Sequence, residues 1–214
     1  MLRTVYALLL AALPLGHRSP AEGPPQLPAG FRQKLAAAKM QFRSPSGLVP
    51  VPVVANRQMS YDYALRAPGK HPEIRFAILP LGGLVAEYQR NKGKKNADLM
   101  DPNTLYPVLL QTVLANVSAG DEPATEDFPS AAVRREFNAD WGSTAVLRPG
   151  AAFGPKYAHC MVVALHKKGA ADAYCFYLFD KGEDIEALMT TPTPDAAAFH
   201  ALRFLYVHRV APHC

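Results

Sequence analysis

Tyr157-Ala-His-Cys-Met-Val-Val-Ala-Leu-His166, the turn Lys167-Lys-Gly-Ala170 and the run Ala171-Asp-Ala-Tyr-Cys-Phe-Tyr-Leu-Phe179 decide the reading of this sequence. Two runs of about nine residues, rich in β-branched and aromatic side chains, flank a Lys-Gly turn, which is the pattern of a β-hairpin. Both faces of both runs are largely apolar. A strand that is apolar on both sides lies in the middle of a sheet and is covered on each side, so helices are required above and below it.

The covers can be sought outward from the hairpin. On its C-terminal side, Thr193-Pro-Asp195 reads as a cap, a first-turn proline and an acid for the helix dipole, opening a helix with Phe199, Leu202 and Tyr206 on one stripe. Asp180, Glu183, Asp184 and Glu186 precede it and read as acids at the start of a shorter helix over 183–189 rather than as paired catalytic carboxylates. On the N-terminal side, Trp141–Leu147 is a strand, Ser130–Asn138 a short helix, and Asp121–Asp127 an acidic surface loop. A helix over Leu105–Asn116, capped by Thr104 with Pro107 in its first turn, presents Tyr106, Leu109 or Leu110, Val113 and Val117. Earlier still, Met59–Arg66 and Glu73–Leu79 alternate with period two around Ala67-Pro-Gly-Lys-His-Pro72 and form a second hairpin. Leu48–Val54 carries Pro50 and Pro52 and can be only an edge strand or an extended segment. Phe31, Leu35, Ala38 and Phe42 stand at helical spacing. The order is one of hairpins, not of βαβ units. It implies an α+β fold, a mainly antiparallel sheet with helices on its faces, in short an α/β/α sandwich.

In element order this arrangement resembles the PsbP/DcrB-like envelope protein fold. The resemblance rests on Phe42-Arg-Ser-Pro-Ser-Gly47 before the first strands, the hairpin around Pro68–Pro72, the middle helix, and the hairpin Tyr157–Phe179 followed by a helix, and it spans roughly residues 40–207. It implies a non-enzymatic binding or accessory role and transfers no functional residue.

The whole chain of 214 residues is 49% hydrophobic and 19% charged, which excludes a disordered chain or a coiled coil and leaves room for one sizeable core. At the N-terminus, Arg3, the apolar run Val5–Leu15 and the small-residue segment Ser19-Pro-Ala21 have the layout of a secretory signal peptide over residues 1–21. The bland alternative is a short N-terminal helix of a cytosolic protein. The run is too short for a bilayer span, which needs roughly 20 residues, and no later segment is longer. Residues 22–30, with Pro24, Pro25 and Pro28, read as a linker, and residues 31–214 as a single domain. Removing residues 1–21 removes two arginines and no acid, so the formal net charge falls from +5 to +3. That mild charge, clustered only at Arg90, Lys92, Lys94 and Lys95, argues against a nucleic-acid partner. Those four residues stand in the run 88–96, which reads as an exposed loop.

Three cysteines leave at least one thiol without an internal partner. With Lys168-Gly169 as a two-residue turn, Cys160 faces Tyr177 and Cys175 faces Val162. The two sulfurs then share a face on a diagonal of roughly 7 Å, at the limit of disulfide reach, so a bond needs a bulge or a different turn. Buried free thiols are the simpler reading. Cys214, at the end of the chain, is the candidate for an intermolecular bond and a dimer. His159 next to Cys160 invites a nucleophile reading, but neighbours on a strand point to opposite faces; His166 or His200 would have to serve instead. The seven histidines show no metal-binding spacing, and nucleotide-loop and nucleophile-elbow motifs are absent, so neither a metal nor a cofactor is expected.

The expectation is therefore an exported binding or accessory module of the bacterial envelope, periplasmic or secreted, whose partner is a protein or another envelope component. Its surface is placed at Trp141, the loop Arg148–Lys156 and the basic run Arg90, Lys92, Lys94 and Lys95. A thiol-dependent hydrolase or oxidoreductase using Cys160 is the alternative.

Overall fold

A computed structural model describes residues 26–45, 47–69, 72–94, 99–120, 122–184 and 201–206. Its framework is a seven-stranded antiparallel sheet in the order β2-β3-β4-β8-β7-β6-β5. The strands are β2 (Val49–Pro50), β3 (Tyr63–Arg66), β4 (Glu73–Pro80), β5 (Thr125–Asp127), β6 (Trp141–Leu147), β7 (His159–Lys167) and β8 (Ala171–Phe179). The β7–β8 hairpin takes the two inner places its composition demands, and all nine residues of β8 are buried. The α+β sandwich is present, with a layer on each face of the sheet.

One face is covered by α1 (Ala29–Ala37), α4 (Ser130–Phe137) and a two-stranded ribbon of β1 (Met40–Phe42) with β9 (Leu202–Phe204). Phe31, Phe42, Tyr63 and Phe76 form an aromatic cluster there; Phe31 stacks on Tyr63 at 4.9 Å and Phe42 meets Phe76 edge-on at 5.2 Å. The other face is covered by α3 (Tyr106–Val117), which buries Leu110, Val113, Leu114 and Val117, and by the segment 149–157. Burying each such side chain is worth about 1.5–3 kcal/mol, so α3 is held by this stripe and not by its caps. No side chain caps its N-terminus; Asp101 caps the preceding 3-10 turn Pro102–Thr104 instead.

Several expectations are corrected. The helix at Phe31 begins at Ala29, inside the expected linker, and stops before Lys39, whose φ of 54° breaks the helical path, so Phe42 lies in a strand. Tyr63 and Leu65 share a face as expected, but Met59 and Tyr61 fall on the other one because the strand begins only at Tyr63. The run 88–96 is not all loop: α2 (Gly82–Asn91) extends through Arg90, and it buries none of its residues. Part of the expected acidic loop is the exposed edge strand β5. Leu202–Phe204, expected at the end of a helix, is a strand paired with β1. The signal-peptide reading falls on residues outside those described, as does most of the helix expected after Thr193 and that over 183–189. Among the described residues no helix is long and apolar enough to cross a membrane.

The hairpin register differs by one residue. Lys167 pairs with Ala171, so the loop holds three residues, Lys168-Gly169-Ala170, with Gly169 at φ 69°. Cys160 now faces Leu178, and Cys175 faces Val163. One residue of register reverses a face. Cys160 belongs to the α3 side and Cys175 to the α1 side, and both thiols are free and buried.

Candidate functional site

Alternation along β4 sends Ile74, Phe76 and Ile78 into the α1-side core and Glu73, Arg75 and Ala77 to the α3 side. In an antiparallel sheet with one wet face, Glu73 and Arg75 would be solvated. Here they are 2% and 7% exposed. What covers them is the segment 149–157, which leaves β6, crosses the end of the sheet and returns into β7. Gly150 makes that crossing feasible: its N–H donates to the Val117 carbonyl at 2.8 Å, and a Cβ there would lie 2.8 Å from the Ser118 carbonyl oxygen. Phe153 then drops into the core against Phe176, ring centroids 5.0 Å apart.

A burial this deep requires partners for the charges. The Arg75 Nε donates to Glu73 Oε1 at 2.7 Å, and its Nη1 donates to the Phe153 carbonyl. The guanidinium lies 4.7 Å from the Tyr61 ring centroid and 4.9 Å from that of Phe153, within cation–π reach of both rings. The second carboxylate oxygen of Glu73 accepts from Arg66 Nε at 3.1 Å, from Arg66 Nη2, and from the Tyr157 hydroxyl at 3.0 Å. Burial alone would raise the Glu73 carboxyl; the hydrogen bonds from Arg66 and Arg75, the Arg75 charge and the Tyr157 hydroxyl outweigh it and hold the group below its ordinary value. The same exchange, with burial as the largest cause, pushes the Tyr157 phenol up to about 12.

This network forms one wall of a cleft of about 230 Å3. Val54, Asn56, Ala152, Pro155 and Lys156 complete its lining. The Asn56 side-chain amide donates to the Ala152 carbonyl, tying two of the lining segments together. Arg66, half exposed, and Lys156, exposed, add two cations at the mouth, whereas the single acid, Glu73, is already paired. The cleft therefore carries an excess of positive charge on a preformed frame.

The expected surface is split by the fold. Trp141 opposes His166 beside the β7–β8 turn, whereas Arg148 follows the far end of β6, about 23 Å along a strand of this rise. Arg148 and Lys156 lie on the cleft side of that division and are exposed. Arg90, Lys92 and Lys94 are exposed at the end of α2, near the turn, and Lys95 lies outside the described residues. Trp141 is half-buried: its ring lies 4.7 Å from that of Tyr106, and its indole N–H donates to Asp127 at 3.1 Å. Beneath it His166, stacked on Tyr106 at 4.3 Å, meets Asp172 through Nδ1 at 2.6 Å, both side chains buried.

Cys160 is fully buried, and burial drives its thiol well above the ordinary range, against a smaller opposing pull from the Arg75 charge. Cys175 is pushed up to about 12, again by burial. His159 stacks on Phe179 on the face opposite Cys160. Cys214 and His200 lie outside the described residues. Among the described residues no group of three histidine, cysteine or acidic side chains stands close enough to hold a metal ion.

The sequence reading missed Glu73, Arg75 and Tyr157. A signal was available: the first hairpin sets Arg66 directly opposite Glu73, a cross-strand ion pair with a second arginine two residues on. Comparison with known protein families, with curated proteins and with solved structures finds no match.

Proposed function

We propose that the chain is an exported, non-enzymatic binding or accessory protein of the bacterial cell envelope, and that its cleft takes a carboxylate borne by a protein or another envelope component. The observation that carries the ligand class is the charge account of the cleft: a single carboxylate, Glu73, is shared by Arg66 and Arg75 and by the Tyr157 hydroxyl, so with the exposed Lys156 the lining keeps a net positive charge. Rigidity supports binding over chemistry, because a pre-organised wall loses little freedom when a ligand docks. Export rests on the layout of residues 1–21.

Benzoate and benzamide, nearly equal in shape and different in charge, test the ligand class. Followed by amide chemical shifts, benzoate is expected to perturb residues 152–157 and to bind at least tenfold more tightly than benzamide. Lys156→Glu, an exposed change, is expected to abolish the preference. Equal affinities, or no perturbation at the cleft, would refute the reading. Export is tested separately by fractionating a bacterial host: a chain beginning near Glu22 outside the cytoplasm supports it, and a full-length cytosolic chain overturns it.

A further inference from the structure

A second cleft, of about 240 Å3, opens on the α3 face between that helix and the segment leading into β3. Its walls are apolar: Met59, Ala77, Leu79, Leu109 and Val113 line it. Asp62 makes it possible. The chain enters β3 only at Tyr63, and in place of a paired strand the Asp62 carboxylate accepts from the Ile78 N–H at 2.8 Å. The β4 edge is thereby satisfied without being covered. The other Asp62 oxygen accepts from the Lys34 ammonium at 2.7 Å, so the charges at the rim cancel. The Thr112 hydroxyl donates to the Val108 carbonyl one turn back.

Tyr174 is the exception. It is only 4% exposed and lines the cleft, and its hydroxyl makes no hydrogen bond with any described residue. Its oxygen is not among the sealed, unpartnered atoms, so it keeps some exposure, and the residue lines this cleft. A buried phenol ordinarily finds a partner. An apolar cleft with a neutral rim and one unspent hydroxyl specifies its occupant. A charged ligand would lose its hydration facing apolar walls and an ion pair that is already neutral, whereas a hydrocarbon would leave the hydroxyl unmatched.

We propose that this cleft binds a small uncharged lipophilic molecule bearing one hydrogen-bond acceptor oxygen, which receives the Tyr174 hydroxyl. A cavity of about 150 Å3 suffices for benzene, so this one accommodates a monocyclic aromatic ketone or a comparable lactone or ester. The site is separate from the carboxylate cleft and independent of that reading.

Acetophenone, ethylbenzene and benzoate have similar size and differ in the property at issue. Titrated separately into the full chain and followed by chemical shifts at Ala77, Val113 and Tyr174, acetophenone is expected to bind at least fivefold more tightly than ethylbenzene and at least tenfold more tightly than benzoate at this site. Tyr174→Phe is expected to lower acetophenone to the level of ethylbenzene and to leave ethylbenzene unchanged. Thr112→Trp, on the exposed side of α3 at the cleft mouth, is expected to weaken both without altering the far-ultraviolet spectrum, and it keeps the test intact should Tyr174→Phe fail to fold. Equal affinity for acetophenone and ethylbenzene, indifference to Tyr174→Phe, benzoate binding as tightly as acetophenone, or an absence of shifts at millimolar concentration would each overturn the proposal.

Discussion

The two ends of the sheet each bury an acid beside a cationic or titratable side chain, and they treat it in opposite ways. At the cleft end, Glu73 accepts from two arginines and a tyrosine, and both its oxygens are satisfied. At the turn end, Asp172 meets His166 through one oxygen, while the other, Oδ2, is sealed from solvent without a partner among the described residues. Both are cross-strand arrangements on the same face, Arg66 opposite Glu73 and His166 opposite Asp172. The difference lies in what crosses above them. At the cleft end the segment 149–157 contributes the Phe153 carbonyl and the Tyr157 hydroxyl. At the turn end the cover is aromatic, Tyr106 over His166 and Trp141 against Tyr106, and it packs ring against ring. A saturated buried network is stiff and costly to break, while a half-satisfied one carries a standing penalty that substitution can remove.

The sharpest test is the same isosteric change at both ends, and the larger effect is expected at the first. Glu73→Gln removes the carboxylate that compensates Arg75 and turns an amide N–H2 toward guanidinium donors. Taking one partner from a buried pair costs about 3–5 kcal/mol, and urea unfolding should register a loss in that range. A loss below about 1 kcal/mol would mean that the Tyr61 and Phe153 rings, not the carboxylate, hold the guanidinium.

How much of this was legible in the sequence divides along the same line. The inner hairpin and β6 could be read because their signals are local: period two, β-branched and aromatic residues, and a turn glycine. The register slipped because Lys168-Gly169 reads equally well as a two-residue turn, while the protein uses Ala170 as a third loop residue. Helix α2 was missed although Leu81, Leu84, Val85 and Tyr88 stand at helical spacing, because it opens on Gly82-Gly83, a pair that reads as a turn. Lys39 ends α1 through a positive φ that its own residue type does not announce. The cleft was hidden for a different reason. Alternation in β4 identifies which face Glu73 and Arg75 occupy, but whether that face is wet depends on a segment some 80 positions downstream, and no local pattern encodes that crossing.

An intermediate effect is expected from Tyr157→Phe, which removes one donor from the saturated end. A hydrogen bond to a charged acceptor is worth about 1.5–3 kcal/mol, and the partial exposure of Tyr157 places the loss near the lower figure. The pH profile identifies it. The phenol stands at about 12 in the fold against 10 in the unfolded chain, so its protonated form contributes stability that is fully present below pH 10 and lost as pH rises through about 12. The difference between the parent chain and Tyr157→Phe in urea unfolding should therefore shrink across that window. A difference constant from pH 8 to 12 would show that the hydroxyl does not hold Glu73.

The smallest effect is expected from Asp172→Asn, the counterpart of Glu73→Gln. The amide oxygen still accepts from His166 Nδ1, so the contact at 2.6 Å is weakened, not abolished. Against that loss, a buried carboxylate with an unpartnered oxygen becomes a neutral group, and its desolvation penalty falls. The two contributions oppose, and the net change in unfolding free energy should lie within about 1 kcal/mol of zero. The indole fluorescence of Trp141 reports the same end independently, since Tyr106 links it to His166, and it should stay as in the parent chain if packing, not charge, holds this cover in place. A loss comparable to that of Glu73→Gln would erase the contrast and make the His166–Asp172 pair a second structural ion pair, with the aromatic stack serving to exclude water from it.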